Sequence, residues 1–82
     1  MSTSDLESAI RDLLASRAPD SSICPSDVAR LVAPDDWRPL MEPVRQAAQR
    51  LMAAGEVRIT QGGKTVDDPT AVQGPIRIAR NA

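Results

Sequence analysis

"LMAAGEVRITQGGKTVD", residues 51–67, contains a change of period. Up to Ala54 the apolar residues recur at helical spacing; from Glu56 onward they alternate with polar ones. The two patterns meet at Gly55, which suits the position just past a helix C-terminus, where a positive φ is needed. Gly62-Gly63 favours a primed two-residue hairpin turn. Pairing outward from that turn sets Gln61 against Lys64, Thr60 against Thr65, Ile59 against Val66 and Arg58 against Asp67. Each pair is chemically matched, and a slip of one residue would send the apolar set to the wrong face. The organising feature is therefore a helix that runs straight into a β-hairpin.

The helix before Gly55 has an inward stripe of Leu40, Val44, Ala47, Ala48 and Leu51, bordered by Met41 and Met52. The two alanines let a neighbouring helix approach closely. Pro39 fits a first turn, but Pro43 deep inside a helix would remove one backbone bond and clash with the preceding turn. Two arrangements are compatible with this: one helix kinked near 39–43, or a short turn at 36–42 feeding a separate helix at 43–54. Further upstream, "SICPSDVARLVAP" (22–34) predicts a helix over 25–33. Pro25 suits its first position, Asp27 complements its dipole, Val28, Leu31 and Val32 face inward, and Pro34 stops it. Ser22–Cys24 is long enough to bridge to a sheet. The first helix is expected over 5–17, with Leu6, Ile10, Leu13 and Leu14 on one face and "SDLE" (4–7) as a capping box. Downstream, "DPTAVQG" (68–74) reads as a loop and "PIRIAR" (75–80) as a short strand with Ile76 and Ile78 inward. The sequence leaves open which hairpin strand it joins.

Helix, extended segment, helix, helix, hairpin and strand form one α+β domain over 4–80, with 1–3 and 81–82 as flexible termini. That order is expected of a winged helix-turn-helix: three helices plus a C-terminal β-hairpin and a short third strand. A general α+β domain with another use for the hairpin is the alternative. The chain has 82 residues, with Trp37 as its one aromatic, so a single aliphatic core must hold it together. Domains of this size retain only a few kcal/mol of net stability.

The words "SICPSDVARLV", "WRPLMEPVRQAAQRL" and "GEVRITQGGKTVD…GPIRI" resemble the small bacterial domains grouped as domain of unknown function 3253. The resemblance covers about residues 6–80. It implies a winged-helix-like fold and carries with it no activity, ligand or catalytic residue.

Histidine is absent and Cys24 is the lone cysteine. That removes Cys/His zinc sites, a histidine general base and Ser-His-Asp or Cys-His pairs. No catalytic residue, metal or cofactor is expected, and the chain reads as a non-enzyme. Asp27, Asp35 and Asp36 are read as helix caps rather than metal ligands. No apolar signal segment and no run of 18 or more apolar residues is present, which points to a cytoplasmic protein without a membrane partner.

Charge is distributed unevenly. Residues 1–42 carry a net −4 and residues 43–82 a net +3, within a total of −1. The basic half is the helix–hairpin half, which points to an anionic partner. With Val44 at 0° and about 100° per residue, Arg45, Gln46, Gln49 and Arg50 fall on the outward face of the third helix. Arginine can grip guanine edges or phosphates, and glutamine can pair with adenine. Arg58, Gln61 and Lys64 add donors on the wing, and Arg77 adds one on the last strand. The site expected for double-stranded DNA is therefore Arg45, Gln46, Gln49, Arg50, Arg58 and Lys64. Four to six phosphate contacts would give a log–log salt slope of about −4 to −5. The alternative is a protein–protein interaction adaptor that uses Trp37 and the surface of the third helix. The oligomeric state is not read from the sequence. Trp37 is otherwise expected on the core rim, and Cys24 as a small apolar residue at a helix start rather than a redox thiolate.

Overall fold

The computed structural model describes residues 3–81. In chain order the elements are α1 (Thr3–Ala15), β1 (Ser22–Ile23), α2 (Pro25–Val32), α3 (Met41–Ala53), β2 (Val57–Gln61), β3 (Lys64–Thr65) and β4 (Arg77–Arg80), with a 3₁₀ turn at Arg38–Leu40 before α3. Three helices thus pack with a four-stranded antiparallel sheet of order β1-β4-β2-β3. This α+β arrangement is consistent with a winged-helix-like topology.

The interior is aliphatic. Leu6, Ile10 and Leu14 of α1, Val28 and Ala29 of α2, and Val44, Ala47, Ala48 and Leu51 of α3 are buried together with Ile23, Val57, Ile59, Val66, Ile76 and Ile78. Ala47 and Ala48 are fully buried, and α1 packs more extensively against α3 than against α2.

The change of period lies where the sequence puts it. Gly55 has φ +80°, its N–H donates to Met52 O, and the N–H of Glu56 reaches back to Leu51 O. These two bonds close a Schellman motif and satisfy carbonyls that the helix end would leave unpaired. The hairpin register is as expected at Thr60↔Thr65 and Gln61↔Lys64, and Val66 N–H continues it by donating to Ile59 O at 2.8 Å. The pairing then stops, and Arg58 and Asp67 form no ion pair. Opposite β2, on its other edge, stands β4, with Ile59↔Ile78 and Arg58↔Ala79. The last strand, whose partner the sequence leaves open, is therefore central. It joins the first hairpin strand to β1, where Ile23 faces Ile78.

The structure also corrects several boundaries. α1 starts at Thr3, two residues before the expected start. It stops at Ala15, where the bonding tightens: the Ser16 amide is shared between Asp12 O and Leu13 O, the Ser16 hydroxyl donates to Leu13 O, and the Arg17 amide bonds Leu14 O, three residues back. Pro43 does not kink a helix. The 3₁₀ turn is a separate element, and α3 begins at Met41, which makes Pro43 its third residue. The first four N–H groups of a helix have no partner within it, so no bond is lost there. Leu31 is not inward: it is 56% exposed. Pro25, Val28, Ala29 and half-buried Val32 define the buried face of α2, and Leu31 lies about 100° from its centre. Residues 1, 2 and 82 of the expected flexible termini lie outside the described residues. Asn81 is tied down through its side-chain amide to Gly55 O at 3.0 Å and Val57 O at 3.2 Å.

Candidate functional site

The 62–76 connection between β2 and β4 contains the Gly62-Gly63 turn, β3 and a tight loop. Gly62 and Gly63 take φ +58° and +84°, as a primed turn requires. In the loop, Asp68 Oδ1 accepts from Thr70 N–H at 2.9 Å and from the Thr70 hydroxyl at 2.6 Å. The Thr70 hydroxyl and then its amide hold the Asp68 carboxyl below its usual range. Pro69 is fully buried and Val72 packs against the core.

Arg45 fastens this loop to α3. One terminal nitrogen of its guanidinium donates to Pro69 O at 3.0 Å and Val72 O at 2.8 Å, and the other donates to Gly74 O at 2.5 Å. Gln61 adds a bond from its amide to Gln73 O at 2.6 Å. Arg45, expected among the outward DNA contacts, is therefore half-buried with its donors committed to three backbone carbonyls. The reason is positional: at about 100° from Val44 it stands at the border of the buried face, where the loop passes. Arg77 is committed as well, through Nε to Ser22 Oγ and through a terminal nitrogen to Ser22 O, both at 2.8 Å.

The other predicted residues stay open. Gln46, Gln49 and Arg50 line one shallow depression with Ala53 and Thr70. Gln49 and Ala53 also line a second one, with Met52, Val57, Arg58, Thr65 and Asp67. The two share a wall, so the outer face of α3 continues onto the base of β2 as one surface. Lys64 lies further along β3, beside Gln61 and Asp67. Arg50, Arg58 and Lys64 are exposed and have no hydrogen-bond or ion-pair partner among the described residues. Four of the six expected site residues thus line two adjoining depressions, Lys64 lines a third along β3, and Arg45 braces the loop. The Asp-Pro-Thr word was the sequence signal for the ordered loop, since Asp favours a side-chain-capped turn. Nothing local signalled that Arg45 would reach it from 24 to 29 residues away.

The remaining candidates resolve separately. Cys24 is half-buried, with Sγ 3.2 Å from Ser26 Oγ, and its N–H donates to Asp27 Oδ2 at 3.0 Å. That backbone donor is the main cause of a lowered Asp27 pKa. Trp37 packs on the rim of the core. The guanidinium carbons of Arg30 and Arg38 lie over its ring, 4.4 and 4.7 Å from the centroid. Among the described residues no group of three or more His, Cys, Asp or Glu could hold a metal ion. No helix among them is long and apolar enough to cross a membrane.

No curated protein matches the chain. A family model described as Protein of unknown function (DUF3253) matches residues 3–81, and the chain belongs to that family.

Proposed function

As a family of unknown function supplies no activity to inherit, we propose from the surface itself that the chain is a non-enzymatic, cytoplasmic winged-helix module that binds double-stranded DNA. In this reading the outer face of α3 enters the major groove and the 62–76 connection lies against the phosphate backbone. The observation that carries it is the continuous open surface of Gln46, Gln49, Arg50 and Arg58, extended by Lys64, whose cations have no internal partner. Arg50 reads a guanine edge, the glutamines read adenine, and Arg58 and Lys64 neutralise phosphates. Arg45 takes a positioning role: by fixing the loop to α3 it holds wing and helix in one geometry before binding, which lowers the ordering cost.

With Arg58 and Lys64 neutralising phosphates in place of four to six such contacts, the log–log salt slope is about −2, shallower than the sequence alone suggests. A gel-shift series with mixed duplexes at low salt tests this. Retardation at micromolar protein is expected. Arg50→Ala should relax sequence preference, and Lys64→Ala should weaken binding to all duplexes alike. Absence of any retardation at low salt overturns the reading.

A further inference from the structure

A second surface stands apart from the α3–β2 face, where α2 ends and the 3₁₀ turn begins. Trp37 carries two guanidiniums on its ring. Arg30 and Arg38 are exposed, and so are Asp35 and Asp36 on the turn between them. Leu31, next to Arg30, is the one large apolar side chain exposed among the described residues. Arg30, Arg38, Asp35 and Asp36 are close in sequence and opposite in sign, yet they form no ion pair with one another. Within the described residues the sole salt bridge is Arg11–Glu56. The arginines are held by the indole, and stacking on an aromatic face leaves the in-plane N–H groups of a guanidinium free to grip a carboxylate in two-point fashion.

A patch with equal numbers of unpaired cations and anions has no net charge with which to attract an acidic or a basic partner. It is complementary to itself. A two-fold interface needs that property: the same patch on both copies, with residue i meeting j and j meeting i. We propose that this face is the interface of a homodimer, in which Arg30 and Arg38 of each copy grip Asp35 and Asp36 of the other around a centre of Trp37 and Leu31. Tryptophan and arginine dominate interface energetics, and the aromatic here is held rigid by the core before association. A stray exposed leucine is ordinary; four exposed charges without an ion-pair partner around a stacked indole are what single out this one. The face is distinct from the DNA-reading surface proposed above and does not depend on it.

The test is sedimentation equilibrium of the full chain from about 10 µM to about 1 mM, a range that covers a weak dimer, with Trp37 emission followed over the same range. As the only aromatic, Trp37 reports on this patch alone. Wild type should dimerise, with a blue shift of emission on association. Arg30→Glu with Arg38→Glu, and separately Asp35→Lys with Asp36→Lys, should each weaken self-association at least tenfold. Mixing the two variants should restore a heterodimer. Far-UV circular dichroism checks that each variant is folded, and Leu31→Ser, which keeps every charge, offers an uncharged route to the same weakening. A monomer at the highest concentration, a dimer indifferent to both charge reversals, or variants that do not re-pair on mixing would each overturn the proposal.

Discussion

The helical body and the 62–76 connection are held together by opposite means. In the body, aliphatic side chains from all three helices meet the inner face of the sheet, and Leu6, Ile10, Leu14, Val28, Val44 and Leu51 are close to fully buried. In the connection, Val66 and Pro69 near its middle, Ile76 at its end and part of Val72 reach the interior. The rest is fixed from outside by Arg45 and Gln61, whose side chains donate to four backbone carbonyls. Apolar burial is shared among many contacts and is cooperative. A polar brace concentrates its effect in a few bonds and can fail locally. The difference assigns separate tasks: the body sets whether the chain folds, and the brace sets where the wing points.

Emptying the body should have the largest effect. Ile78→Ala removes a fully buried side chain from the central strand and should cost about 2–5 kcal/mol. In a domain of this size that shifts the unfolding midpoint steeply or abolishes folding, as read by urea denaturation. A loss below about 1 kcal/mol would mean that the core is more adaptable than its packing indicates. Breaking the brace comes next. Arg45→Met keeps the stem but loses three hydrogen bonds that water can partly replace, so the total loss should be about 1–2 kcal/mol, below that of Ile78→Ala. The loss should be largely local: amide exchange at Thr70 and Ala71 should accelerate strongly while the helices keep their protection. Uniform acceleration across the chain would erase the proposed division between body and connection.

Acid should touch both regions. Glu56 is held below its usual range by the Arg11 guanidinium, which bonds it at 2.9 and 2.8 Å. Asp27 is lowered first by the Cys24 amide, and Asp68 first by the Thr70 hydroxyl. All three have folded values below their unfolded ones. Their contribution is therefore complete above the ordinary carboxylate range and is lost as pH falls through the folded values. Stability should be level from neutral pH to about 5 and decline below about 4. Asp27→Asn should reduce that decline measurably in a pH series of thermal melts, and Asp68→Asn should alter exchange only in the connection. The smallest effect belongs to the open surface. Arg50→Ala should leave stability within about 0.5 kcal/mol of wild type, since the side chain has no internal partner, so any change in nucleic-acid retention can be assigned to the contact itself. A clear loss of stability would place Arg50 in the body rather than on the surface.

These contrasts also separate what could be read early from what could not. The end of α3, the glycine switch, the hairpin register from Gln61 to Val66 and the inward residues of β2 and β4 followed from period and turn chemistry, which act over a few residues. Leu31 misled because its spacing from Val28 matches a stripe, while an eight-residue helix buries only the face its neighbours cover. The two arrangements of Pro43 were resolved once the 3₁₀ turn fixed the first residue of α3.

By itself, then, the sequence determined three amphipathic helices, a glycine-tipped hairpin and one aliphatic core, because periodicity and φ preference are local properties written into adjacent residues. Tertiary structure alone decided that β4 sits between β1 and β2, that Arg45 braces a loop instead of facing solvent, and that Arg30 and Arg38 share one indole. Each of those outcomes depends on groups far apart in the chain arriving within hydrogen-bond or stacking distance. Such distances range over only a few ångströms and have no signature in local spacing.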